Sequence, residues 1–206
     1  MLNDILSRFV TKIGAEMKAD EDKIAIANYG MLTIAYSVIG IILLFVIAFL
    51  LSITRTTMSA FFAAALLRNF SGGAHCAGPL KCLILTCIAF PVIGYISILL
   101  TPYLAPYFVF TFIFVFSLSF ISVILRAPVD TDNKPITSPL QKSQLKFISL
   151  IIVSMLAMAV LVINKKYPEP ATAVQLGVLW QTSMLWPYTV GLLKKYDALF
   201  SAKRKE

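Results

Sequence analysis

The apolar positions of this chain follow two patterns, a short helical stripe at the start and then long unbroken runs. Over residues 1–19, Leu2, Ile5, Leu6, Phe9, Val10, Ile13 and Met17 recur at helical spacing, with Asp4, Arg8, Lys12, Glu16 and Lys18 elsewhere around the turn. That is an amphipathic helix. It is too polar to span a bilayer and too apolar on one side to stay in water, so residues 1–23 are expected to lie in the membrane surface, packed against the ends of the spans or both. Acidic side chains are scattered through it and the apolar core comes only afterwards, unlike a signal peptide. Residues 30–53 then predict a first span. Residues 56–70 are short for a crossing and carry Phe61, Phe62 and an alanine run; a second crossing is favoured over a re-entrant helix because it returns the next loop to the starting side. From Lys81 the chain is uncharged as far as Leu125, enough for two spans separated by a proline- and tyrosine-containing turn at residues 101–106. Residues 126–146 read as the main polar loop, 147–163 as a fifth span, 164–170 as a connector and 171–193 as a sixth span containing Trp180, Trp186 and Pro187.

Composition sharpens this into a class. Of 206 residues, 59% are hydrophobic and 14% charged, and the mean hydropathy is +0.84. These values predict an all-α polytopic membrane protein with one domain: residues 1–23 an interfacial helix, 24–194 a bundle of about six membrane-embedded helices, and 195–206 a basic tail. A formal net charge of +8 would suggest nucleic acid in a soluble chain. Here the cations flank apolar runs, so they read as topology signals, with the lipid bilayer and not nucleic acid as the partner. Six crossings place Arg8, Lys12, Lys18, Lys23, Arg68, Lys81, the polar loop and the tail on one side, against Arg55, Lys165 and Lys166 on the other. The positive-inside rule makes the richer side, with both termini, cytoplasmic. No charged side chain sits in the middle of a span, which argues against an ion-coupled transporter.

Candidate chemistry collects at residues 68–82, RNFSGGAHCAGPLKC, which hold the only histidine and two of the three cysteines. On one continuous helix His75 and Cys82 would stand roughly 10 Å apart along the axis, too far to share a proton. Gly78-Pro79 supplies a break, since glycine accepts turn dihedrals and proline suits the first helical position. A helix beginning at Pro79 puts Cys82 in its first turn, where the positive end of the helix dipole and Lys81 favour a thiolate. His75 in the preceding loop then takes the thiol proton. Cys76 is the runner-up nucleophile, disfavoured because adjacent side chains point apart. A zinc site using His75, Cys76, Cys82 and Cys87 is less favoured, because Cys87 falls one to two turns up an apolar helix and the spacings are not those of a zinc knuckle. Purely structural roles for the thiols and an interfacial role for His75 remain open from spacing alone.

With Arg68, Gly72-Gly73, His75 and Cys82 in place, the chain resembles the accessory gene regulator B family of membrane cysteine endopeptidases. Length, amphipathic start, six-segment pattern and Asn133-Lys134-Pro135 in the polar loop extend the resemblance to the whole chain. It implies a Gram-positive cell membrane, no cofactor and no metal. The implied substrate is a small signal-peptide precursor, cleaved near its C-terminal end through an acyl-thioester and cyclised to a thiolactone or lactone. His75 and Cys82 carry over as the catalytic pair. Arg68, Lys81 and Lys134 are candidates for binding a precursor carboxylate, or equally for setting topology at lipid headgroups. Asn69, Ser71, Asp130 and Asp132 are candidates to orient His75. A homodimer is the expected assembly. The competing reading is a non-catalytic peptide exporter or membrane chaperone in which the His-Cys loop is structural.

Overall fold

The computed structural model describes residues 8, 11–13, 20–74, 76, 78–129 and 138–202. Arg8 and residues 11–13 are helical and exposed, on the stretch read as an amphipathic helix. Among the described residues seven α-helices follow: α1 (Glu21–Leu50), α2 (Thr54–Ser71), α3 (Pro79–Leu104), α4 (Phe108–Arg126), α5 (Pro139–Asn164), α6 (Pro168–Ser183) and α7 (Pro187–Ala202), with a 3-10 turn, Ala105–Tyr107, joining α3 to α4. The fold is that of an all-helical polytopic membrane protein. Among the described residues three stretches are long and apolar enough to cross a bilayer, Lys23–Leu50, Pro79–Arg126 and Pro139–Asn164. Their outward side chains are large hydrophobics such as Phe49, Phe110 and Val162, as a surface in contact with lipid requires.

The second of these stretches has 48 residues, roughly 70 Å of helix against a hydrocarbon core of about 30 Å. It must fold back, and it does so at Ala105–Tyr107, at the far end of the turn expected over residues 101–106, with Thr101 to Leu104 still helical. Thr101 near the end of α3 donates to Thr172 at the start of α6 (3.0 Å). Trp186 just after α6 donates to Ser122 near the end of α4 (3.1 Å). Thus α3 and α4 run in opposite directions along the same central helix.

That centre is the pair α2 and α6, which pack on each other more extensively than any other pair. α1 and α3 lie on one side of them and α4 and α5 on the other. Both central helices are short, 18 and 16 residues, and present small side chains to each other. A Cβ on Gly177 would run into the Ala60 carbonyl, and one on Gly94 of α3 would meet Thr57 of α2. Close backbone approach through small residues is how helices associate where lipid removes the hydrophobic drive between them. Around it, Leu67, Val123, Val153, Val160 and Val178 form the main buried cluster.

Two expected boundaries are corrected. The helix expected at 147–163 starts earlier, at Pro139, a residue well suited to the first turn; Gln141 to Lys146 are therefore helical, and Lys146 reaches the Ile124 carbonyl (2.9 Å). The sixth span expected over 171–193 is broken between α6 and α7. Pro187 has no N–H to give to the carbonyl four residues earlier, Ser183. That carbonyl instead accepts from the Trp186 N–H (3.2 Å) and the Thr189 hydroxyl (2.5 Å), so the chain turns at Met184–Trp186 before α7 begins.

Helix direction now follows from contacts. The ends of α2, α4 and α6 and the starts of α3, α5 and α7 converge at one end of the bundle, bringing Arg68, Lys81, Arg126 and Lys146 there, while Arg55, Lys165 and Lys166 mark the opposite end. The close α2–α6 crossing gives a direct test. Gly177→Leu should destabilise the protein by ~1–3 kcal/mol, toward the upper end because the obstacle is backbone, and lower its thermal midpoint in detergent. Gly30→Ala, with nothing within 4 Å of the added carbon, should leave that midpoint unchanged or slightly raised.

Candidate functional site

At the converging end, α2 stops because Gly72 takes φ +67°, a conformation that costs glycine little. A side chain there would also strike the Val129 carbonyl. The Val129 N–H donates to the Ser71 carbonyl (3.0 Å), pairing Gly72 with Val129 in a single parallel bridge. Gly73 follows at φ +136° against Met184 and Gln181. The Ala74 N–H then donates to the Met184 carbonyl (2.8 Å), in the turn that Pro187 forces open. Thus the glycine pair and the α6–α7 break dock on each other.

Arg68, in the last turn of α2, lies under this loop. Its guanidinium donates to the Ala74 carbonyl (2.6 Å) and, at 3.5 Å, to the side-chain oxygen of Gln181. Gln181 itself is fully buried, and its amide nitrogen donates to the Gly72 carbonyl (2.8 Å) and the Ser71 hydroxyl (3.2 Å). Arg68 lies outside the three long apolar stretches. Burial pushes its pKa down from the ordinary guanidinium value, and the nearby thiols of Cys82 and then Cys76 push it back up. Such an attraction is mutual, so the same cation favours the thiolate of either cysteine.

α3 begins as its sequence predicts. Gly78 at φ +140° caps it, Pro79 takes the first turn, and the Cys82 N–H reaches back to the Gly78 carbonyl (3.3 Å), so Cys82 does occupy the first turn. Arg68, Cys76, Cys82, Trp180, Gln181 and Leu193 are among the residues that line one cavity of about 150 Å³, whose remaining wall is largely apolar. A volume of that size admits a side chain or a short backbone segment. Helix α7 closes it on one side, with Leu193 against the loop and the Tyr196 hydroxyl donating to the Lys81 carbonyl (3.3 Å).

Of the residues singled out in the sequence, the structure therefore brings Arg68, Cys76 and Cys82 to one cavity and ties Ser71 to it through Gln181. The backbone of Lys81 flanks it, and Asn69 is exposed. Cys87 does not line the cavity; it is directed at α1, its sulfur 4.0 Å from the Gly40 carbonyl, as its place farther up the helix implied. His75, Asp130, Asp132 and Lys134 lie outside the described residues. Gln181, Met184 and Leu193 were not anticipated. For Gln181 there was a signal, an amide in an otherwise apolar run, which in a membrane protein must find a partner inside the protein. For Met184 there was none, because the bond uses its backbone.

The model of the family described as Accessory gene regulator B matches residues 6–185. The chain is 30% identical over 208 residues to an AgrB-like protein of Clostridium perfringens strain SM101, covering 96% of this chain and 97% of that protein. It is 27% identical over 185 residues to accessory gene regulator protein B of Staphylococcus aureus strain MW2, covering 88% and 92%. No solved structure matches the chain.

Because Gly72 both turns the chain and abuts the Val129 carbonyl, Gly72→Ala should uncouple the loop from its docking partners. In a Cys87→Ala background, alkylation of Cys76 and Cys82 by a maleimide should then rise severalfold while the protein remains inserted. An unchanged labelling rate would show that the docking does not govern access to the cavity.

Proposed function

The chain belongs to the accessory gene regulator B family, which ties it to the membrane processing of quorum-sensing peptides, and from that premise we propose a membrane cysteine endopeptidase with Cys82 as nucleophile and His75 as its base. The observation that carries this reading is the position of Cys82, in the first turn of a helix started by Gly78-Pro79 and in the wall of a cavity shared with Arg68. An ordinary cysteine is only a few per cent thiolate near neutrality. A helix start and a neighbouring cation both raise that fraction.

In this mechanism a precursor of the kind the family processes presents a peptide carbonyl to the cavity. The Cys82 sulfur attacks it, His75 having taken the thiol proton. The C–N bond breaks as that proton passes to the leaving amine, and the peptide remains as an acyl-thioester. A thiol or hydroxyl within the bound peptide, giving its proton to the now neutral His75, then attacks the thioester, closing a ring and returning Cys82 as thiolate. Cyclisation outruns hydrolysis only if the internal nucleophile is held close and water is scarce. The apolar wall formed by Phe61, Leu85, Phe90, Trp180 and Leu193 supports that requirement. Arg68, with Lys81 and Lys134, is proposed to hold a precursor carboxylate, and Asn69, Ser71, Asp130 or Asp132 to orient His75. Backbone N–H groups in the first turn of α3 are the proposed oxyanion donors. The cations gathered at this end support a cytoplasmic site with both termini on the same side.

Cys76 lines the same cavity and feels the same arginine, so the decisive experiment treats both thiols. With a precursor co-expressed, Cys82→Ala and His75→Ala should each abolish cleavage, by at least a hundredfold, while membrane levels stay normal; Cys76→Ala should retain it. Cleavage retained in Cys82→Ala and lost in Cys76→Ala would move the nucleophile. Cleavage retained in both would leave the exporter or chaperone reading.

A further inference from the structure

We infer that Gln181 is a positioning residue for the thiol site: its amide holds the Arg68 guanidinium and the Gly72 carbonyl in one arrangement, directing the cation at Cys82 without adding a negative charge beside it. This deepens the peptidase reading, on which its catalytic consequence rests. Three observations carry it. Gln181 is 1% exposed yet lines the cavity, so its amide is the inner wall of the site and not a surface group. Both ends of that amide are used: the oxygen accepts from Arg68 (3.5 Å), and the nitrogen donates to the Gly72 carbonyl (2.8 Å) and the Ser71 hydroxyl (3.2 Å). It therefore binds the end of α2 and the start of the reactive loop from a helix about 110 residues away in the chain. Third, the bond from Arg68 to the Ala74 carbonyl (2.6 Å) shares the same short loop, so side chains from α2 and α6 grip its backbone at two carbonyls two residues apart, Gly72 and Ala74.

The choice of an amide matters chemically. A carboxylate in this place would accept from Arg68 at least as well, but it would cancel much of the cation's field at the sulfur, could not donate to the Gly72 carbonyl and would itself be buried. A methionine would fill the space and make neither bond. Glutamine alone of these three fixes the loop and leaves the positive charge available. The titratable groups around Cys82 among the described residues are Arg68 of α2, Cys76 of the loop, Lys81 of its own turn and Tyr196 of α7. Only Arg68 among them is held by Gln181.

The test is the pH dependence of Cys82 alkylation by iodoacetamide in the full-length, detergent-solubilised protein, in a Cys76→Ala, Cys87→Ala background, with thermal melting as the check on folding. Gln181→Glu should move the alkylation midpoint up by about one pH unit, as a new negative charge nearby does; Gln181→Met should move it up by less. Gln181→Asn, polar but too short to reach Arg68 and Gly72 together, should behave like Gln181→Met, and it decides the matter if the other two do not fold. A midpoint unmoved in whichever variants fold overturns the inference, because a role in packing alone would lower the melting temperature without shifting the titration of the thiol. Alkylation needs no precursor, so the two readings fail differently: the peptidase reading fails if Cys82→Ala still cleaves, whereas this one fails if the midpoint stays put.

Discussion

The structure depends on the need to satisfy polar backbone groups at a place where six helix ends meet inside an apolar bundle. Where a helix ends, its last carbonyls lose their intrahelical partners, and buried away from water each one left bare costs about 1–3 kcal/mol. At the end of α2 the protein answers with side chains and turns from elsewhere. Gln181 takes the Gly72 carbonyl, Arg68 takes that of Ala74, and the Val129 N–H takes that of Ser71. The outcome is a loop whose route is set by partners on α2, on α6 and beyond α4, even though its own sequence is glycine-rich and pliable.

Those partners meet only because the central helices approach closely. Gly177 against Ala60 and Gly94 against Thr57 bring backbones nearly into contact. A β-branched or larger residue at either glycine would separate the helices by more than a hydrogen bond tolerates. The tight crossing and the polar clamp are therefore one device, with the small residues setting the distance and the amide and guanidinium using it. A clamp of three or four bonds, at about 1 kcal/mol net each and more where a charge takes part, is comparable to the conformational entropy of ordering two or three loop residues, at about 1–2 kcal/mol apiece. Loop order and clamp are matched in scale, so neither persists without the other.

How much of this was legible in the sequence follows from the range of each interaction. The start of α3 at Pro79 was legible because Gly78 and Pro79 act on their own backbone, and the turn near Pro106 for the same reason. The break at Met184–Trp186 was not, because proline alone does not decide: Pro91 and Pro102 are carried within α3, whereas at Pro187 the bypassed Ser183 carbonyl finds two substitute donors, Trp186 and Thr189. The early start of α5 was hidden by the polarity of its first turns, which marks exposure and not loss of helix. Arg68 could be named from its neighbours, and Gln181 stood out as an amide in an apolar run, but the pairing of the two could not be read. Nothing local to either residue encodes a contact across about 110 positions.

The presence of two thiols in one cavity raises the question of what distinguishes them, and charge alone does not settle it. Arg68 acts on both, on Cys82 more than on Cys76, so its field raises both thiolate fractions and favours Cys82 without leaving Cys76 unaffected. Backbone placement separates them. Cys76 sits in the loop, where its carbonyl is occupied by the Gly78 N–H (2.8 Å), whereas Cys82 stands in the first turn of a 26-residue helix. The positive end of a helix is worth about 0.3–1 kcal/mol to a nearby anion and about 2 when partly buried, a factor of roughly two to thirty in thiolate population. Part of that is given back, because a thiol made more acidic is also a weaker nucleophile, with about half of the logarithmic gain surviving. What remains is a several-fold preference at most, too small by itself to make one thiol reactive and the other silent. In the proposed peptidase, selection between the two would therefore come mainly from aim, from which sulfur the clamped loop and the start of α3 turn toward the substrate carbonyl, and on that reading the rigidity of residues 72–74 is a chemical requirement as well as a structural one.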